Sequence, residues 1–111
     1  MKISDAIDEL QLQVKTCKDK LSTEVTGAYV SDLLSDVMGN LQQGNIWITL
    51  QIHMNIVAIA SLKNAAAIIT IGGRSPQYDV LEKAASEKVV IMSTPLSAFE
   101  TAGRLYSLLN K

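Results

Sequence analysis

The amino-acid sequence predicts an α/β fold: one compact domain over residues 1–111, with a largely parallel central sheet flanked by helices. Three observations predict it. From residue 46 onward, short apolar runs alternate with helical segments, the pattern of successive strand–helix units. The apolar runs are continuous instead of alternating, as in Ala66-Ala67-Ile68-Ile69-Thr70-Ile71, which marks strands buried on both faces. Finally, 48% of the residues are hydrophobic but only 5% are aromatic, so Ile, Val, Leu and Ala must fill the core.

Taken in order, residues 3–9 fit a short opening helix with Ser4 as its cap. Gln11 to Thr16 alternates polar and apolar residues, as a half-buried strand does. Cys17-Lys18-Asp19-Lys20 is turn-like. Thr23 to Thr26 forms a brief strand ending at Gly27. Ser31 caps a helix over 31–39, in which Leu33, Leu34, Val37 and Met38 share a face and Gly39-Asn40 is the stop. Gln42 to Asn45 is a surface loop. Ile46 to Gln51 is a strand, 54–62 a helix, Ala66 to Ile71 a buried strand closed by Gly72-Gly73, and 76–87 a helix with Pro76 in its first turn. Val89 to Ser93 is a strand, and Pro95 opens a last helix to 109 with Phe99, Ala102, Tyr106 and Leu109 on one side. Strand–helix succession implies right-handed crossovers. The first forty residues add the remaining elements to the same core. Trp47 reads as core or subunit contact.

Composition excludes several function classes. Ten basic and eleven acidic residues give a formal net charge of -1, with no concentrated basic character for general nucleic-acid binding. A single cysteine, Cys17, forms no internal disulfide and falls short of the four thiolates that usually hold an iron–sulfur cluster. The opening Met1-Lys2-Ile3-Ser4-Asp5 places an acid where a signal peptide needs an apolar run, and the apolar stretches are too short to span a membrane. The expectation is a reduced, cytoplasmic protein with no membrane partner. There is no P-loop, no dinucleotide-binding glycine fingerprint and no zinc-ligand spacing, and Ser93-Thr94-Pro95 is not a nucleophile elbow. No cofactor, metal or catalytic constellation is predicted.

Parallel strands alternating with helices bring the loops after their C-terminal ends to one edge, where open α/β sheets bind ligands. Three loops qualify: Gln51 to Asn55, including His53; Gly72-Gly73-Arg74-Ser75; and Ser93-Thr94-Pro95. Each leads into a helix N-terminus, where free amides and the helix dipole favour an anion. The expected ligand is therefore a small anion, a nucleotide or a phosphorylated metabolite.

Each candidate also has a plainer reading. Gly72-Gly73 either turns the chain or contacts a phosphate. Arg74 either forks onto a phosphate or sits in water or against an acid. His53, the only histidine, either donates to a ligand or is structural. Asn55 and Thr94 either touch ligand or cap the helices that follow them. Asp32, near Gly27 and Tyr29, either recognises hydroxyls or a ribose or sits in its helix's first turn for dipole reasons.

The segment Val25-Thr26-Gly27-Ala28-Tyr29-Val30-Ser31-Asp32-Leu33-Leu34-Ser35-Asp36-Val37-Met38 resembles the opening of small stand-alone DRTGG-domain proteins. So does Ile46-Trp47-Ile48-Thr49-Leu50-Gln51-Ile52-His53-Met54-Asn55-Ile56-Val57-Ala58, and the likeness runs on through Ile68 to Gly73 and Ser93 to Phe99. It covers nearly all of residues 8–109. The Asp-Arg part of the name-giving motif is absent. Gln51-Ile52-His53 stands in the corresponding region, and Thr70-Ile71-Gly72-Gly73 approximates the rest. The resemblance implies a fold similar to the N-terminal domain of HPr kinase/phosphorylase. Members occur alone or beside CBS, pyrophosphatase or acetyltransferase domains, which implies a regulatory or dimerising role. Related stand-alone proteins carry hydrogenase-associated or serine-kinase-like labels. The missing P-loop argues against kinase activity and the lone cysteine against an iron–sulfur hydrogenase.

Three functions follow as expectations. The first is a homodimeric, non-catalytic regulatory module sensing a small anionic ligand at the C-terminal strand edge. The second is an interaction or dimerisation module for a partner enzyme, metabolic or redox. The third, ranked last, is a small enzyme using His53, Asp32 and Arg74.

Overall fold

The computed structural model covers Met1–Lys111. Five strands form one sheet: β1 Gln13–Val14, β2 Gly27–Val30, β3 Asn45–Thr49, β4 Ala67–Thr70 and β5 Ile91–Ser93, in the order β1-β5-β4-β3-β2. β2 to β5 run parallel and β1 joins β5 antiparallel, so the largely parallel α/β sheet is as expected. Four helices cover it: α1 Leu34–Asn40, α2 Asn55–Leu62, α3 Tyr78–Ser86 and α4 Ala98–Leu109.

Every residue of β3 and β4 is buried, which explains their continuous apolar runs. The period of two sends side chains alternately to two cores. Trp47, Ile68 and Ile91 lie in register and face α1, α2 and α3, against Val37, Ile56 and Val80. Ile48, Ile69 and Met92 face the other way, against Leu105 of α4 and Ile3, Ala6 and Leu10 from the N-terminal segment. Each such aliphatic side chain, fully buried, contributes about 1.5–3 kcal/mol. Trp47 is fully buried and its indole N–H donates to the Ser31 carbonyl at 2.9 Å, a core role.

The N-terminal forty residues depart most from expectation. The opening helix is only a 3-10 turn, Ile3–Ala6, started by Lys2, whose amide donates to the Asp5 carboxylate at 2.8 Å; Ser4 caps nothing. The strand expected over 11–16 shrinks to β1, because Gln11 and Cys17 adopt left-handed backbone (φ 53 and 56) at either side of it. The strand expected over 23–26 lies four residues later: Gly27, read as its end, begins β2, in register with Asn45. α1 begins at Leu34 and not at Ser31, whose hydroxyl instead accepts the Leu33 amide at 3.2 Å. Leu33 is 65% exposed, off the buried face it was expected to share.

Helix starts elsewhere slip by one to three residues. Met54, not Asn55, flanks α2. Gln77 flanks α3, leaving Pro76 just outside. α4 is capped by Ser97, whose hydroxyl accepts the Glu100 amide at 3.2 Å, so neither Thr94 nor Pro95 opens it. Phe99 and Tyr106 point outward, 87% and 68% exposed. No helix is long and apolar enough to cross a membrane.

Candidate functional site

At the C-terminal edge of β2 to β5 the loops are stitched to their neighbours. Asp32 follows β2; its carboxylate accepts the Thr49 hydroxyl at 2.9 Å and the Leu50 amide at 2.7 Å. Gln51 answers by donating its side-chain amide to the Asp32 carbonyl at 3.0 Å. Asp32 and Gln51 thus clamp the loop after β2 to the loop after β3. Asp32 precedes α1 altogether, so the first-turn dipole reading of it falls away.

Gly72 and Gly73 adopt left-handed backbone (φ 66 and 75), which glycine takes without strain. Their amides donate to Leu96 O at 2.8 Å and Thr94 O at 3.0 Å. The expected free amides at this turn are therefore already engaged by the loop after β5. The Thr94 hydroxyl donates to the Leu10 carbonyl at 2.7 Å and accepts the Leu96 amide at 3.2 Å, so Thr94, 1% exposed, ties the N-terminal segment to that loop. Beneath the turn, the Thr70 and Ser93 hydroxyls lie 2.7 Å apart and Thr70 donates to the Arg74 carbonyl at 2.8 Å.

The predicted side chains left without a partner at this edge are His53, Asn55 and Arg74, all exposed. The chain's ion pairs are Met1 amine–Glu24, Lys83–Glu87 and Arg104–Glu100, so the Arg74 guanidinium is unpaired. α2 has no capping side chain and no acid in its first turn, whereas α3 carries Asp79 and α4 carries Ser97 and Glu100. The Met54 and Asn55 amides have no acceptor in the chain, which leaves the positive end of α2 unmatched. No hydrogen bond links His53, Asp32 and Arg74, as joint acid–base chemistry would require.

Gly27 and Tyr29 lie elsewhere. Gly27 is at the opposite, N-terminal end of β2, where an added Cβ would meet the Asn45 side chain at 3.0 Å. Tyr29 turns toward α1 and donates its hydroxyl to the Asp36 carboxylate at 2.7 Å, with Asn40 donating to the same carboxylate at 3.0 Å. This contact lowers the Asp36 pKa, helped by Ser31 and Asn40 and opposed by desolvation. The same hydrogen bond, with burial and the Asp36 charge behind it, raises the Tyr29 pKa.

A cavity of about 680 Å³ is at the N-terminal strand edge, opposite the predicted loops. Lys20, Asn64 and Lys88 line it, and sequence reasoning singled out none of them as a site residue. No signal in the sequence marked them: the left-handed backbone closing α2 at Asn64 (φ 54) and α3 at Lys88 (φ 59) is visible only in the structure. A second hollow of about 520 Å³ runs between the edge strand β2 and α4 and is mostly apolar. No group of three or more His, Cys, Asp or Glu side chains is arranged to hold a metal.

Comparison with known proteins finds no match among curated sequences. Among solved structures, the chain is similar to the CBS and DRTGG domains of the regulatory region of Clostridium perfringens pyrophosphatase, crystallised with its activator diadenosine tetraphosphate. The TM-score is 0.75 at 20% identity, over 94% of this chain and 45% of that one, so this chain spans less than half of that structure. At this identity the likeness concerns the fold. The sequence pattern of the DRTGG domain matches residues 5–108. The chain belongs to the DRTGG-domain family.

Proposed function

We propose that the chain is a non-catalytic regulatory module that senses a small anionic ligand, a nucleotide or phosphorylated metabolite, at the C-terminal strand edge. One observation carries the reading: the uncapped α2 N-terminus beside a loop whose Arg74 has no acid to pair with. An anion there meets two open amides, a helix dipole and a guanidinium suited to a bidentate phosphate contact. β3 and β4 are adjacent and parallel, so the loops that follow them are neighbours on one rim; a Cβ added at Gly72 would stand 3.8 Å from the Leu50 side chain. The family and the fold of a pyrophosphatase regulatory region support a regulatory role.

Calorimetric titration with adenine mononucleotides and a dinucleoside polyphosphate tests this. Binding should be weakened about tenfold in Arg74→Gln, the loss expected for one charged hydrogen-bonding group. Binding that Arg74→Gln leaves unchanged would remove the site from this edge.

A second reading, a homodimer or a docking module for a partner enzyme in the cytoplasm, is favoured by the apolar hollow between β2 and α4. Val30, Ala102 and Tyr106 line it beside an unpaired strand edge. Sedimentation at micromolar concentration should show a dimer that Val30→Asp dissociates. A monomeric parent would set the dimer aside.

A further inference from the structure

The 680 Å³ cleft at the N-terminal strand edge has the size of a small-molecule site, and it lies apart from the loops around Arg74. Its floor is small and apolar, Ala60, Ala65, Ala66 and Val89, at the ends of α2 and the starts of β4 and β5. Its walls are polar: Gln43, Ser61 and Asn64 offer a hydroxyl and amides, while the Thr23 hydroxyl donates to the Lys20 carbonyl at 2.7 Å. Such a lining suits a ligand rich in hydroxyl groups more than an apolar one.

The charges around the cleft are not balanced. Glu24 is matched by the Met1 amine at 3.4 Å and Glu87 by Lys83 at 3.1 Å. Lys20 and Lys88 line the same cleft and have no acidic partner. Lys88 follows the C-terminus of α3, where a cation is favoured by the helix dipole. Lys20 ends a short 3-10 turn, Lys18–Lys20, and is half-buried although it has no acidic partner.

Lys88 is also held at φ 59. That backbone region is natural for glycine and costly for lysine, and helices commonly close with glycine at this position. Asn64 closes α2 in the same way (φ 54), so polar side chains and not glycines end both helices that border the cleft.

We infer that this cleft is a second binding site, for a small phosphate-bearing polyhydroxy molecule, with Lys20 and Lys88 holding the phosphate. The site is independent of the rim carrying Arg74 and stands or falls separately from it.

The test is amide NMR on the full chain, titrated with inorganic phosphate and with glucose 6-phosphate. Both probes should shift the Gly44, Asn64 and Lys88 amides saturably, glucose 6-phosphate at lower concentration. Lys20→Gln and Lys88→Gly should each weaken binding about tenfold, and Lys20→Arg should retain it. Lys88→Gly should melt no lower than the parent, because glycine relieves the left-handed backbone. Loss of binding in that variant then comes from the missing ammonium and not from unfolding. Unshifted cleft amides, or shifts that persist in the Lys20→Gln/Lys88→Gly double variant, overturn the site. Shifts confined to Met54, Asn55 and Arg74 also overturn it, while supporting the rim.

Discussion

Asp32 accepts a hydrogen bond from the buried Thr49 hydroxyl at 2.9 Å, and its oxygen also receives the Leu50 amide. A carboxylate read from the sequence as a hydroxyl-recognising contact is thereby a brace between two strand ends. Asp32→Ala leaves the Thr49 hydroxyl and Leu50 amide without their acceptor and is expected to cost about 1–3 kcal/mol. Asp32→Asn keeps an acceptor oxygen and should lose less. Urea denaturation monitored by circular dichroism gives both values, and a neutral Asp32→Ala would show that the clamp carries no stability.

The Tyr29–Asp36 contact makes stability depend on pH at both ends of the scale. The Tyr29 hydroxyl holds the Asp36 carboxyl below its ordinary range, so folding favours the charged carboxylate. That contribution is present above the ordinary carboxylate range and is lost as pH falls through the lowered value. The Tyr29 phenol is raised, so folding favours its neutral form. That contribution is present below tyrosine's ordinary value and is lost as pH rises through the raised one. Tyr29→Phe should move the Asp36 titration back up and flatten the acid limb of the stability profile. Carboxyl NMR titration and denaturation at stepped pH check it; an unmoved Asp36 would show that Tyr29 is not the main cause.

Trp47, the only tryptophan, is fully buried with its indole N–H on the Ser31 carbonyl. Trp47→Phe leaves a void between the sheet and α1–α2 and removes that donor. The expected cost is about 2–4 kcal/mol. In the parent, tryptophan emission should be blue-shifted and move to the red on unfolding in a single transition. Red-shifted emission from the native protein would contradict the burial.

The sheet's centre was legible in the sequence. Ile46 to Thr49 and Ala67 to Thr70 are continuous apolar runs, and such runs between helical segments have few alternatives to a buried parallel strand. The family likeness was equally readable, whereas for Trp47 the sequence left core or subunit contact open and the structure makes it core. The N-terminal elements were not. Whether 23–26 or 27–30 is the strand depends on pairing with 45–48, and β1 exists only because Gln13 and Val14 meet Ser93 and Met92. Short local patterns carry too little free energy to decide such pairings.

The sequence by itself determined which strands are buried, that their loops share an edge, and that Arg74 and His53 stand there. Only the tertiary structure decided which polar groups in those loops stay open. Gly72, Gly73, Thr94 and Asp32 look available in one dimension, but their partners come from Leu96, Thr94, Leu10 and Thr49–Leu50. It also brought Lys20 and Lys88 to one cleft from distant parts of the chain. The reason is that a buried backbone or hydroxyl group must find a hydrogen-bond partner, and long-range packing selects which one.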